Sequence, residues 1–134
     1  MRSIASYDLK ILVALGETFI GNKDICDWLL NNGYPELAAF SHAIRGSTDA
    51  NNWLLENGFP ELSALDYAID KDIKAKDWLL KYGFFIEVQF ANCCNLVKQS
   101  TNWLIDNGYK VFVYLAEKIN NGEELTWEDV DSAK

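Results

Sequence analysis

Four copies of one heptapeptide, W-L-[LI]-x-x-G-[YF], recur at a constant spacing of 25 residues and constrain this chain more than any other feature. They start at Trp28, Trp53, Trp78 and Trp103; their glycines are Gly33, Gly58, Gly83 and Gly108, each followed by an aromatic ring, Tyr34, Phe59, Phe84 or Tyr109. A fixed period in this range marks a repeat architecture, in which a small unit buries its apolar face by stacking on the next. The expected fold is all-α, a short α-solenoid of 25-residue helix-turn-helix repeats. Units at 25–49, 50–74, 75–99 and 100–124 follow a half-unit over about 1–24 and precede a C-terminal cap over 125–134.

Within a unit, the glycine takes the left-handed conformation that ends a first helix, and Pro35 or Pro60 opens the second, where the missing N–H costs nothing. Glu36 and Glu61 suit the positive end of that second helix. Leu37, Phe40 and Ile44 recur as Leu62, Leu65 and Ile69, a three-and-four spacing that places them on one helix face. Leu12, Leu15 and Phe19 continue the phase upstream, so residues from about 7 to 20 read as a second helix without a full first one. Asp24, Asp49 and Ser100 are the expected caps of first helices, and Thr126 with Asp129 marks a short closing helix. The third unit, FFIEVQFANCC, lacks the proline, carries Glu87 in a leucine phase and alternates like a strand, as does YKVFVYLAEKI in the fourth. Phase favours helices in both, and strand stays the alternative over 84–91. The whole reads as one elongated domain of nine or ten helices.

A length of 134 residues with 49% hydrophobic composition suits one domain with a sizeable core. The formal charge of -8 opposes contact with nucleic-acid phosphates or an anionic membrane and complements a basic protein surface. Cys26, Cys93 and Cys94 form no CxxC pair, so neither a disulfide framework nor a zinc site is indicated, and Cys93 and Cys94 fall in the phase of the apolar Ala43 and Ile44. MRSIASYDLKILVALG lacks a signal-peptide pattern, and no apolar run approaches the ~20 residues of a bilayer span. A soluble cytoplasmic protein is expected.

Ser63-Ala64-Leu65-Asp66-Tyr67-Ala68 and Trp78-Leu79-Leu80-Lys81-Tyr82-Gly83 resemble the two helices of an ankyrin repeat, TPLHxAA and LLxxGA. The likeness extends over most of the chain, with 25-residue units in place of the family's 33 and no room for its β-hairpin finger. It implies a helical solenoid with a protein-binding role.

No catalytic, cofactor or metal motif stands out. The four tryptophans are expected to be buried stacking elements, with Trp53→Ala costing ~3–5 kcal/mol. His42, the single histidine, has neither a triad nor a metal set beside it in sequence. On second helices, positions 38, 41, 42 and 45 are expected to point away from the apolar arc. This yields the candidate partner-binding rows His42, Tyr67, Asn92, Glu117 and Arg45, Asp70, Asn95, Asn120. First helices carry a polar row, Asp27, Asn31, Asn52, Glu56, Asp77, Asn102 and Asp106. The leading expectation is a non-enzymatic module that binds a protein or peptide. The alternative is a small acidic inhibitor or immunity-type protein that neutralises a basic partner.

Overall fold

A computed structural model describes residues 2–122. A 3₁₀ turn, Ile4–Ser6, leads into nine α-helices: α1 Leu9–Phe19, α2 Lys23–Asn31, α3 Pro35–Ile44, α4 Thr48–Glu56, α5 Pro60–Ile69, α6 Ile73–Lys81, α7 Phe85–Cys94, α8 Lys98–Asp106 and α9 Lys110–Gly122. The described residues contain no strand, so the alternating runs in α7 and α9 are helical, as the repeat phase requires. The expected closing helix at Thr126 and Asp129, and the cap over 125–134, lie outside the described residues.

Two turns build every unit. At the first, the N–H of Tyr34 donates to the Leu29 carbonyl at 2.9 Å, with Gly33 at φ 95°. Phe59 to Leu54, Phe84 to Leu79 and Tyr109 to Leu104 repeat the bond at 2.8 Å, so the motif's glycine and aromatic residue together form a Schellman closure. The second turn left little trace in the sequence, because its left-handed position is Gly21 and Gly46 in two units but Lys71 (φ 71°) and Leu96 (φ 66°) in the others. The helix caps follow one residue later: Asn22, Ser47 and Asp72 accept from the N–H groups of Ile25, Ala50 and Ala75. Asp24 and Asp49, the expected caps, sit instead in the first turns of α2 and α4, and Ser100 is buried inside α8. Val97, at the α8 cap position, provides no side-chain bond. Leu96 is strained and 81% exposed, so Leu96→Gly is expected to raise stability by about 0.5–1 kcal/mol, read as a higher melting temperature.

α1, α3, α5, α7 and α9 form an inner set, each packed on the next, and α2, α4, α6 and α8 lie outside them. The array is not elongated. α1 packs against α9, so the inner helices close into a ring, tied also by the Tyr114 hydroxyl to Glu17 Oε1 at 3.3 Å. Closure has a steric signature at Gly16, where an added Cβ would come within 2.5 Å of Tyr114 Cε2 and 3.1 Å of Leu115 Cδ2.

The 25-residue period then reads as layers inside the ring. Leu15, Phe40, Leu65, Phe90 and Leu115, one from each inner helix, are all fully buried and form the central layer. Phe19, Ile44, Ile69, Cys94 and Ile119 form a second layer, and Leu12, Leu37, Leu62, Glu87 and Phe112 a third. Cys93 and Cys94 are buried in the core, as their phase implies. Leu29, Leu54, Leu79 and Leu104 seal the outer helices to the inner ones.

The tryptophans behave differently from expectation. Each stacks on the aromatic residue six positions later, with ring centroids 6.4, 6.1, 6.1 and 5.9 Å apart for the four successive pairs. Trp28 is 49% exposed and the other three are only partly buried, because the indole covers the turn instead of entering the core. Trp53→Ala is accordingly expected to cost only ~2 kcal/mol, testable by urea unfolding.

Glu87 explains the break in the third layer. Its Oε2 accepts from the Ile4 N–H at 2.9 Å and from the Ser3 hydroxyl at 3.0 Å, while the Tyr7 hydroxyl donates to Glu36 Oε2 at 2.9 Å. Ile4 and Tyr7 are buried, so the N-terminal segment lies across this end of the ring on carboxylates from α3 and α7. Burial, then the bond to Glu36, raises the Tyr7 pKa well above its ordinary value. Glu61 of α5 is 2% exposed, and its Oε2 has no hydrogen-bond partner among the described residues. Burial, with Glu87 and Glu36 nearby, pushes its pKa up. The folded protein therefore holds this proton more tightly than the unfolded chain does. The carboxyl opposes folding at neutral pH, and that penalty is relieved as pH falls through the folded pKa towards the ordinary glutamate value. Glu61→Gln is expected to gain about 1 kcal/mol at pH 7, with the two stability curves converging near pH ~4. A constant gap between the curves would show that Glu61 does not titrate in this way.

Candidate functional site

The ends of the inner helices that lead into the second turns carry a depression that recurs in the register of the repeat. The first, about 450 Å³, is lined by Thr18, Gly21, Lys23, Cys26, His42 and Arg45, among others. The equivalent residues 25 positions on, Ala43, Gly46, Thr48, Asn51, Tyr67 and Asp70, line one of about 120 Å³. Fifty positions further still, Cys93, Leu96, Lys98, Thr101, Glu117 and Asn120 line one of about 290 Å³. The candidate rows thus meet at these depressions through His42 with Arg45, Tyr67 with Asp70, and Glu117. Asn92 and Asn95 line none of the three and are half-buried; the Asn95 amide donates to the Ala91 carbonyl at 3.0 Å. Positions 38 and 41 do not point outward as expected: Ala38 and Ser41 are buried. Inner helices face the ring on one side and outer helices on the other, which leaves only a narrow exposed strip.

A further groove, about 360 Å³, opens between α2 and α4 with α3 as its floor. Ala38 and Ala39 form that floor, Leu30, Pro35 and Trp53 the walls, His42 one end, and Asp27 with Asp49 the charged lining. The groove shares Cys26, Asp27 and His42 with the first depression, so the two adjoin. Later units differ at the equivalent positions. Phe85, in the phase of Pro35, lies edge-on against Trp103 at 5.0 Å.

The structure also assembles groups that were far apart in sequence. Cys26 Sγ lies 3.6 Å from His42 Nε2, an arrangement missed in the sequence because the residues are on different helices. The signal was present: both are eight positions from Tyr34, and an antiparallel helical hairpin turning there brings them together. Burial, then Asp27, pushes the Cys26 thiol pKa up, which keeps it protonated and weakly nucleophilic. One unit later, Asn51 Nδ2 donates to Asp66 Oδ2 at 2.7 Å and Ser63 Oγ donates to Asn51 Oδ1 at 2.6 Å, a buried polar tie between α4 and α5.

Among the described residues, no group of three or more His, Cys, Asp or Glu is placed to hold a metal ion, and no helix is long and apolar enough to cross a membrane. The polar row of the outer helices, Asp27, Asn31, Asn52, Glu56, Asp77, Asn102 and Asp106, is exposed throughout. No protein-family model matches this chain, and no curated protein or solved structure is significantly similar to it.

Proposed function

We propose that the protein is a non-enzymatic protein- or peptide-binding repeat module acting in the cytoplasm. The observation that supports this most is the open apolar groove over α3, walled by half-exposed Leu30 and part-exposed Trp53 and adjoining the depression lined by His42 and Arg45. Hydrophobic surface left open on a rigid helical frame is what a partner covers on binding. The likeness of the units to ankyrin repeats supports the same reading. The protonated Cys26 thiol weighs against its use as a nucleophile.

Binding by a captured partner is expected to fall in the double variant Arg45→Ala with Tyr67→Ala while the circular dichroism spectrum is unchanged. A second reading, an acidic inhibitor of a basic protein, is supported by the charge of -8 and the exposed carboxylates of the outer helices. It predicts the reverse mutational result, with Glu56→Ala and Asp77→Ala abolishing binding, and a steep loss of affinity as ionic strength rises.

A further inference from the structure

We infer that the groove between α2 and α4 docks a lysine or arginine side chain presented by a partner protein, an inference that rests on the protein-binding reading above. Its geometry suits an amphipathic side chain more than a purely apolar one. Ala38 and Ala39 give a smooth apolar floor, and Leu30 a wall along which an alkyl stem can lie. Asp27 of α2 and Asp49 of α4 both contribute to the lining and are exposed. The groove thus sets two carboxylates beside apolar surface, with Lys23 and Arg45 lining the adjoining depression and not the groove itself. Trp53, stacked on Phe59 through one face, adds an aromatic ring whose other face is left to attract a cation.

An uncharged apolar side chain would gain contact with the floor and leave the carboxylates unanswered. An acidic one would be repelled by them. A basic side chain satisfies floor, ring and carboxylates together, and the net charge of -8 favours the approach of the surface that carries it. A volume near 360 Å³ admits one such side chain with part of its backbone.

The probe is a displayed library of random peptides selected on the immobilised full chain. Enriched peptides are expected to share a Lys or Arg, and their affinity to fall at least about tenfold when Asp27→Asn and Asp49→Asn are combined. Both positions are exposed, so the variant is expected to keep the wild-type circular dichroism spectrum, and Asp8→Asn, outside every candidate row, serves as the control that leaves affinity unchanged. Peptides that lack a basic residue, or that bind the double variant as tightly as the wild type, would overturn the assignment of the groove while leaving a peptide-binding module standing. If no peptide is enriched over an empty surface, both the assignment and the binding reading fail.

Discussion

Phe90→Ala is expected to lower the unfolding free energy by about 3–5 kcal/mol, a large part of the ~5–15 kcal/mol that holds a domain of this size together. Phe90 is fully buried and lies in the central layer of the ring between residues supplied by α5 and α9. Its ring centroid is 5.5 Å from that of Phe112 in a tilted arrangement. Truncation removes the apolar area of a whole ring and leaves a space that five helices, each fixed by its neighbours, can collapse into only in part. Urea unfolding followed by far-ultraviolet circular dichroism measures the effect, and a loss below about 1 kcal/mol would show that the layer is not closed around this side chain. Phe85→Ala makes a useful comparison, because Phe85 is 45% exposed and its loss is expected to cost much less.

Gly16→Leu is the second large effect. In the interior of an exposed helix this change gains about 0.8 kcal/mol, since glycine is a poor helix former. Here the new side chain would project into the Tyr114 ring and Leu115, so α1 and α9 must separate or repack, at a cost of ~1–3 kcal/mol for overfilling. A net loss of up to about 2 kcal/mol is expected in thermal or urea unfolding. A net gain would mean that α1 is free of α9. Because the ring brings the two ends of the described chain together, the damage is expected to spread: hydrogen exchange should quicken in both helices, while α4 to α6 keep their protection.

The repeat made the helical fold legible because its period, its glycines and its apolar triplets all agree. What it hid was the consequence of curvature. Leu12, Leu37, Leu62 and Phe112 have the same spacing in a straight array and in a ring, and nothing in a single unit tells how far each rotates on the next. Gly16 was the local clue, a glycine within α1 that no turn requires. The second turn was obscured by Lys71 and Leu96, which adopt a backbone conformation that residue type alone does not announce. Glu87 read as a contradiction because its partners, Ser3 and Ile4, come from the other end of the chain.

The candidate site was legible as rows and obscure as a surface. His42, Arg45, Tyr67 and Asp70 share a register, and the structure gives that register a recurring depression. The tryptophans depart from expectation because size and apolarity suggest burial, whereas the glycine turn lets each indole lie flat on a neighbouring ring at the surface. The α2–α4 groove was invisible in sequence, since it depends on Ala38 and Ala39 being small where Leu30 and Trp53 approach from two other helices.

Closure of the inner helices into a ring is most directly tested by nuclear Overhauser contacts between the Gly16 α-protons and the Tyr114 ring in the assigned spectrum. The close approach of these residues predicts a strong cross-peak, accompanied by contacts from Gly16 to the Leu115 methyl groups. Assigned resonances that show neither contact, with the contacts between α3 and α5 intact, would mean an open array and would contradict the ring.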